Sequence, residues 1–241
     1  MSMTKVKTIG IILASIAGTF VVIFLYFFVS YSWQLKYGDI DNVNQLTRTF
    51  GGGFTSIGGT RSNISVSIPD YRQFIRNDNP TIGQRSAPIT ILMFIDFQCP
   101  FCQASFPVLK EVIDTYDSAI HIVFKHYPIT SIHPDAFRAA QASMCAYAQG
   151  RFWEFHDTVF SVRALDESSL YTYAEISGTN LLTFERCMQS NTYDQMINQD
   201  LEDGLTIGIR GTPTYLVNGR VIEGSPDIEG WRQLILEELN K

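Results

Sequence analysis

The stretch from residue 89 to 116 constrains this chain more than any other. Residues 89–97 read ITILMFIDF, an almost unbroken apolar run rich in Ile and Phe, followed by Gln98 and then Cys99-Pro100-Phe101-Cys102. A strand covered on both faces needs no polar alternation, so this run predicts a buried strand. After Cys102 the apolar residues Phe106, Leu109, Val112, Ile113 and Tyr116 fall three or four apart, which is helical spacing. The cysteine pair therefore sits where a strand turns into a helix, with Cys99 at or next to the N-cap.

That position favours thiol chemistry. Unpaired N–H groups and the helix dipole stabilise negative charge at a helix start, and the thiolate is the reactive form of cysteine. Pro100 suits the first helical turn, where a missing N–H costs nothing. Cys102, one turn in, is the more shielded sulfur and can close a disulfide on Cys99; Cys99 is the expected attacking thiol and Cys102 the resolving one. The expectation requires Cys99 to reach solvent. The competing use of a C-x-x-C is half a zinc site, but zinc takes four ligands and no second pair exists, since Cys145 and Cys187 are single and distant. No metal is expected.

From about Asn79 to the C-terminus the chain resembles the DsbA-like branch of the thioredoxin superfamily. The resemblance rests on IDFQCPFC around the cysteines, FKHYP at 124–128, QGRFWEFHD at 149–157 and GTPTYLVNG at 211–219, in the family's order. It implies an α/β thioredoxin-like fold whose core is split by a helical subdomain, here about 133–209. It also implies that Pro213 is a cis-proline facing the active-site disulfide. Thr212 then offers backbone groups to an extended substrate, and Pro100 and Phe101 lie at the same contact surface. Some relatives carry a second, structural disulfide in the subdomain, and AQASMCAYAQGRFW with FERCMQS resembles that pattern, pairing Cys145 with Cys187 against the alternative of two free thiols. In the chain-entropy model such a bond is worth roughly 4 kcal/mol before strain.

The sequence departs from the family at two places. Phe101 stands where many relatives have a histidine that steadies the thiolate, which implies a weaker oxidant. Met93 stands where many relatives have a buried acid that moves the second cysteine's proton. Asp96 either substitutes for that acid or caps the turn. Lys125 either neutralises a nearby carboxylate or the thiolate, or is solvated at its strand end.

Residues 9–29 form an uncharged apolar stretch of 21 residues preceded by Lys5 and Lys7. At 1.5 Å per residue it matches a hydrocarbon core of about 30 Å. It is read as an uncleaved single-pass anchor with a cytoplasmic N-terminus, in preference to a cleaved signal peptide, which would have a shorter apolar region and a small-residue site. The expected organisation is an anchor over 1–33, a Gly/Ser/Thr/Asn-rich flexible stalk over 34–80, and the DsbA-like domain over 81–241. The stalk glycines lack the Gly-Lys-Ser/Thr of a phosphate loop. A second strand is predicted at 120–128, helices at 134–149, 152–162, 170–177, 183–188 and 192–207, a hairpin about Asn218-Gly219, and a last helix at 228–239.

These features point to a membrane-held thiol:disulfide oxidoreductase facing the periplasm or outer cell surface. Its expected partners are exported proteins with thiols or disulfides and a separate redox partner, either a quinone-linked membrane protein or a thioredoxin-like donor. No flavin, quinone or nucleotide motif is present, so no cofactor is expected. A net charge of −6 argues against nucleic acid. Reductase or isomerase chemistry uses the same atoms; a tethered chaperone or metal carrier without turnover is the alternative from another class. A Cys-His hydrolase would need a histidine aimed at Cys99 with an orienting partner.

Overall fold

The computed structural model describes residues 67–241 and, before them, Ile23, Phe24 and Tyr26, which are helical. Among the described residues no helix is long and apolar enough to cross a membrane. The anchor expected over 9–29 lies outside the described residues apart from those three, as does the stalk up to residue 66.

The chain from Ser67 onward is a thioredoxin-like α/β fold with a helical insertion. Among the described residues the strands are β1 (Thr81–Gly83), β2 (Ile89–Ile95), β3 (Ile120–His126), β4 (Thr214–Val217) and β5 (Arg220–Glu223), in the order β1-β3-β2-β4-β5. Only β2 and β3 run parallel, and they are joined through α1 (Pro100–Tyr116), as a β-α-β crossover requires. The insertion comprises α2 (Ala136–Tyr147), α3 (Phe152–Val162), α4 (Glu167–Ile176), α5 (Leu181–Ser190) and α6 (Asp194–Ile207). The chain then makes the β4–β5 hairpin and ends in α7 (Ile228–Leu239). The hairpin turn has positive φ at Asn218 and Gly219, the conformation that Asn-Gly favours. A side chain at Gly219 would also run into the backbone of Ile68.

Both faces of the sheet are covered, which is why β2 shows no polar alternation. Met93, Ile95, Phe124 and Tyr215 pack on one side with α1, α7 and the insertion. Leu92, Phe94, Val123 and Leu216 pack on the other with Tyr71, Tyr127 and Ile209. Cys145 of α2 and Cys187 of α5 are joined by a disulfide, with their Cα atoms 5.7 Å apart.

Two readings of the sequence are corrected. Residues 67–80, within the expected stalk, pack onto the domain: Ile68 N–H donates to Gly219 O, Tyr71 is buried, and Asn79 is 2% exposed. Lys125 is not solvated. It lies fully buried with its Nζ 2.6 Å from Asp200 and 2.7 Å from Asp203, and donates to Phe74 O. Arg76 joins both carboxylates from the other side. A β3 side chain that faces α6 cannot reach water, so its charge is matched by two acids one helical turn apart. Strand β1 was not foreseen, because three residues show no period.

Candidate active site

Cys99 is the N-cap of α1, in extended conformation, and Pro100 opens the first turn. Its N–H donates to Asp96 O at 3.1 Å, and its carbonyl accepts from Gln103 N–H at 3.1 Å. The thiol donates to Thr212 O at 3.2 Å. The Thr212–Pro213 peptide bond is cis, and Gly224 N–H donates to Pro213 O. The start of α1 and the lead into β4, more than a hundred residues apart, thus meet at one sulfur. Cys102 lies a turn below and is 2% exposed.

The two thiols are driven apart in acidity. A hydrogen bond from the Cys102 thiol lowers the pKa of Cys99 most. Burial opposes that effect, while the Thr212 hydroxyl and the N–H groups of Cys102 and Phe101 add to it, and the result is about 6. Burial pushes Cys102 well above the ordinary thiol value, and the neighbouring Cys99 adds to the shift. Cys99 therefore ionises before Cys102, the polarity expected of an attacking and a resolving thiol.

Exposure departs from expectation. Cys99 is only 4% exposed, because the Thr212 carbonyl lies across its sulfur. Pro100 and Phe101 beside it are exposed, Phe101 by 64%. The Thr212 hydroxyl is buried and has no hydrogen-bond partner, although it lies near enough to both sulfurs to lower their pKa values.

Asp96 caps the turn. Its Oδ1 accepts from Gln98 N–H at 2.7 Å, and its Oδ2 accepts from Ile129 N–H at 2.8 Å and lies 2.7 Å from His133 Nδ1. Met93 is fully buried opposite Tyr215 and fills core space. Lys125 spends its charge on Asp200 and Asp203. Sequence reasoning missed the Asp96–His133 pair and the Lys125 partners, because both are formed across the sheet-to-insertion boundary and carry no local spacing signal.

Residues 76–237 match the family described as Thioredoxin. The chain belongs to the thioredoxin family. Among curated relatives, it is 36% identical over 167 residues to the Na(+)/H(+) antiporter NhaA 3 of Salinispora tropica, a match covering 69% of this chain and 24% of that protein. It is 34% identical over 148 residues to NhaA 1 of Mycolicibacterium gilvum, covering 60% and 24%. The chain thus spans about a quarter of the length of the curated relatives it matches. Similar solved structures include a thioredoxin-like oxidoreductase from Silicibacter pomeroyi, with a TM-score of 0.64, 21% identity and coverage of 70% of this chain and 96% of that one. Oxidised BdbD from Bacillus subtilis gives 0.64, 21%, 74% and 100%. The thiol-disulfide exchange protein α-DsbA2 from Wolbachia pipientis gives 0.63, 22%, 69% and 90%. The thioredoxin-like fold, with DsbA-like structural neighbours, is therefore common ground between sequence and structure.

Proposed function

We propose that this thioredoxin-family domain is an extracytoplasmic thiol:disulfide oxidoreductase that forms disulfides in exported proteins through Cys99 and Cys102. The observation that carries the reading is the Cys99–Cys102 pair at the start of α1, with the Cys99 sulfur 3.2 Å from the carbonyl of Thr212, the residue before cis-Pro213; a hydrogen bond from Cys102 lowers the Cys99 pKa, to about 6. A stabilised thiolate stabilises the reduced form, which makes the disulfide form an oxidant.

In the oxidised protein a substrate thiolate attacks Cys99, forming a substrate–Cys99 bond as the Cys99–Cys102 bond breaks and the electron pair goes to Cys102. A second substrate thiolate then attacks the substrate sulfur, and Cys99 leaves as the stabilised thiolate. The substrate gains a disulfide and the domain ends reduced, with two electrons to pass to a redox partner. Thr212 backbone groups pair with the extended substrate, and Phe101 borders it. The apolar stretch at 9–29, with Lys5 and Lys7 before it, supports membrane attachment with the domain on the far side.

The experiment is transfer of the disulfide from oxidised protein to a reduced, unfolded peptide. Transfer that Cys99→Ser abolishes supports the reading. Stoichiometric metal or client binding with no transfer overturns it in favour of a carrier or chaperone.

A further inference from the structure

We infer that His133 is a positioning residue for the Cys99–Cys102 couple, acting through the carboxylate of Asp96. The inference rests on the exchange reading proposed above and adds a residue to it.

Asp96 is 1% exposed and sits three residues before Cys99, whose N–H it accepts through its main-chain carbonyl. Its carboxylate takes three contacts, two from the main-chain N–H groups of Gln98 and Ile129 and one at His133 Nδ1. A carboxylate only accepts, so Nδ1 carries the hydrogen and the imidazole is oriented by the bond. The same loop is stitched to the same turn a second time: Gln98 Nε2 donates to Asp135 Oδ2 at 3.0 Å, and Asp135 N–H donates to Gln98 Oε1 at 2.7 Å. The loop leading into α2 is thus bound directly to the turn that presents Cys99.

The electrostatic consequence follows from where the charge lies. Asp96 belongs to the turn whose main-chain carbonyl holds the Cys99 N–H, and a buried negative charge in the turn that presents a thiolate disfavours that thiolate, because water screens it poorly. The His133 N–H draws that charge toward the loop and fixes the side chain away from free rotation. Without it, the carboxylate keeps two of its three donors, and its charge is no longer drawn toward the loop. The reduced protein, with Cys99 ionised, then loses stability against the disulfide form, and the couple becomes less oxidising.

The test is the glutathione equilibrium of the full chain at neutral pH, read for wild type, His133→Phe, His133→Asn, Asp96→Asn and the Asp96→Asn/His133→Phe double variant. His133→Phe should shift the equilibrium constant about tenfold toward the disulfide form, which is roughly 30 mV more negative. His133→Asn, whose amide donates from nearly the place of Nδ1, should stay close to wild type. Asp96→Asn removes the charge and should move the potential the opposite way, to a less negative value. The double variant should match Asp96→Asn alone. A merely structural role for His133 lowers thermal stability but leaves the potential in place. His133→Phe at the wild-type potential, or shifting it equally in the Asp96→Asn background, overturns the inference. If His133→Phe does not fold, Asp96→Asn decides: a potential unchanged or more negative overturns it. A wild-type protein that reaches no equilibrium with glutathione at Cys99 and Cys102 overturns the exchange reading instead.

Discussion

The thiol of Cys99 lies 3.2 Å from the main-chain oxygen of Thr212, the residue before the cis-proline. Access to the sulfur therefore requires an incoming group to replace that contact, and the substrate sulfur must sit beside Thr212. Cys102→Ser is expected to trap a mixed disulfide between Cys99 and a substrate, because the alcohol cannot resolve it. Non-reducing electrophoresis with a reactive peptide disulfide checks this. Adduct that forms on Cys102 in a Cys99→Ser variant at a comparable rate would reverse the assigned roles, against the greater burial and raised pKa of Cys102.

Phe101 supplies no charge to the thiolate and is 64% exposed. Phe101→His should make the couple more oxidising by about tenfold in the glutathione equilibrium, roughly 30 mV. An unchanged potential would show that the residue between the cysteines does not tune this site.

Three histidines make the domain sensitive to acid. Burial is the main cause that lowers the pKa of His126, to about 3, and it also lowers those of His121 and His156. Both ring nitrogens of His126 lack a hydrogen-bond partner, and its ring packs against Phe124, Phe152 and Phe97. A histidine with a lowered folded pKa takes up a proton more readily when unfolded. Stability is therefore full above pH 6.5 and falls as pH drops from 6.5 toward 3, by about 1.4 kcal/mol per unit for His126. His126→Phe should flatten the slope of unfolding free energy between pH 6.5 and 5, measured by urea titration. An unchanged slope would contradict a buried neutral imidazole.

The cluster of Lys125, Arg76, Asp200 and Asp203 joins β3, α6 and the segment before β1. Burial raises the pKa of Asp200. It also pushes Asp203 upward, but Lys125 and Arg76 outweigh it there and the net shift is downward. Lys125→Met leaves two buried acids sharing one cation and should cost about 3–5 kcal/mol in urea unfolding. The exchange rate of the folded fraction should be unchanged, because the cluster's partners are carboxylates and not sulfurs. A loss of exchange without a loss of stability would place Lys125 in the chemistry after all.

Much of this was legible in the sequence. The apolar run before Cys99 specified a strand buried on both faces, the spacing after Cys102 specified the helix, and Asn218-Gly219 specified the hairpin. Local signals sufficed because each of these elements is set by its own residues. The helix expected over 170–177 instead begins at Glu167, where Asp166 accepts from Ser169 N–H as a cap. What local signals could not show was pairing between distant segments. Lys125 resembles a solvated strand end until α6 is laid over it, and Asp96 resembles a turn residue until the loop carrying His133 reaches it. The low exposure of Cys99 belongs to the same class, since the residue that covers it lies 113 positions away.

The central claim is that Cys99 is held as an anion at the start of α1 while Cys102 keeps its proton. The direct measurement is the pH dependence of Cys99 alkylation by iodoacetamide in the reduced protein, with the modified residue identified by peptide mapping. The account predicts a single rise in rate with a midpoint near pH 6, confined to Cys99. A midpoint near the free-thiol value of about 8.5, or alkylation shared equally by Cys102, would contradict it.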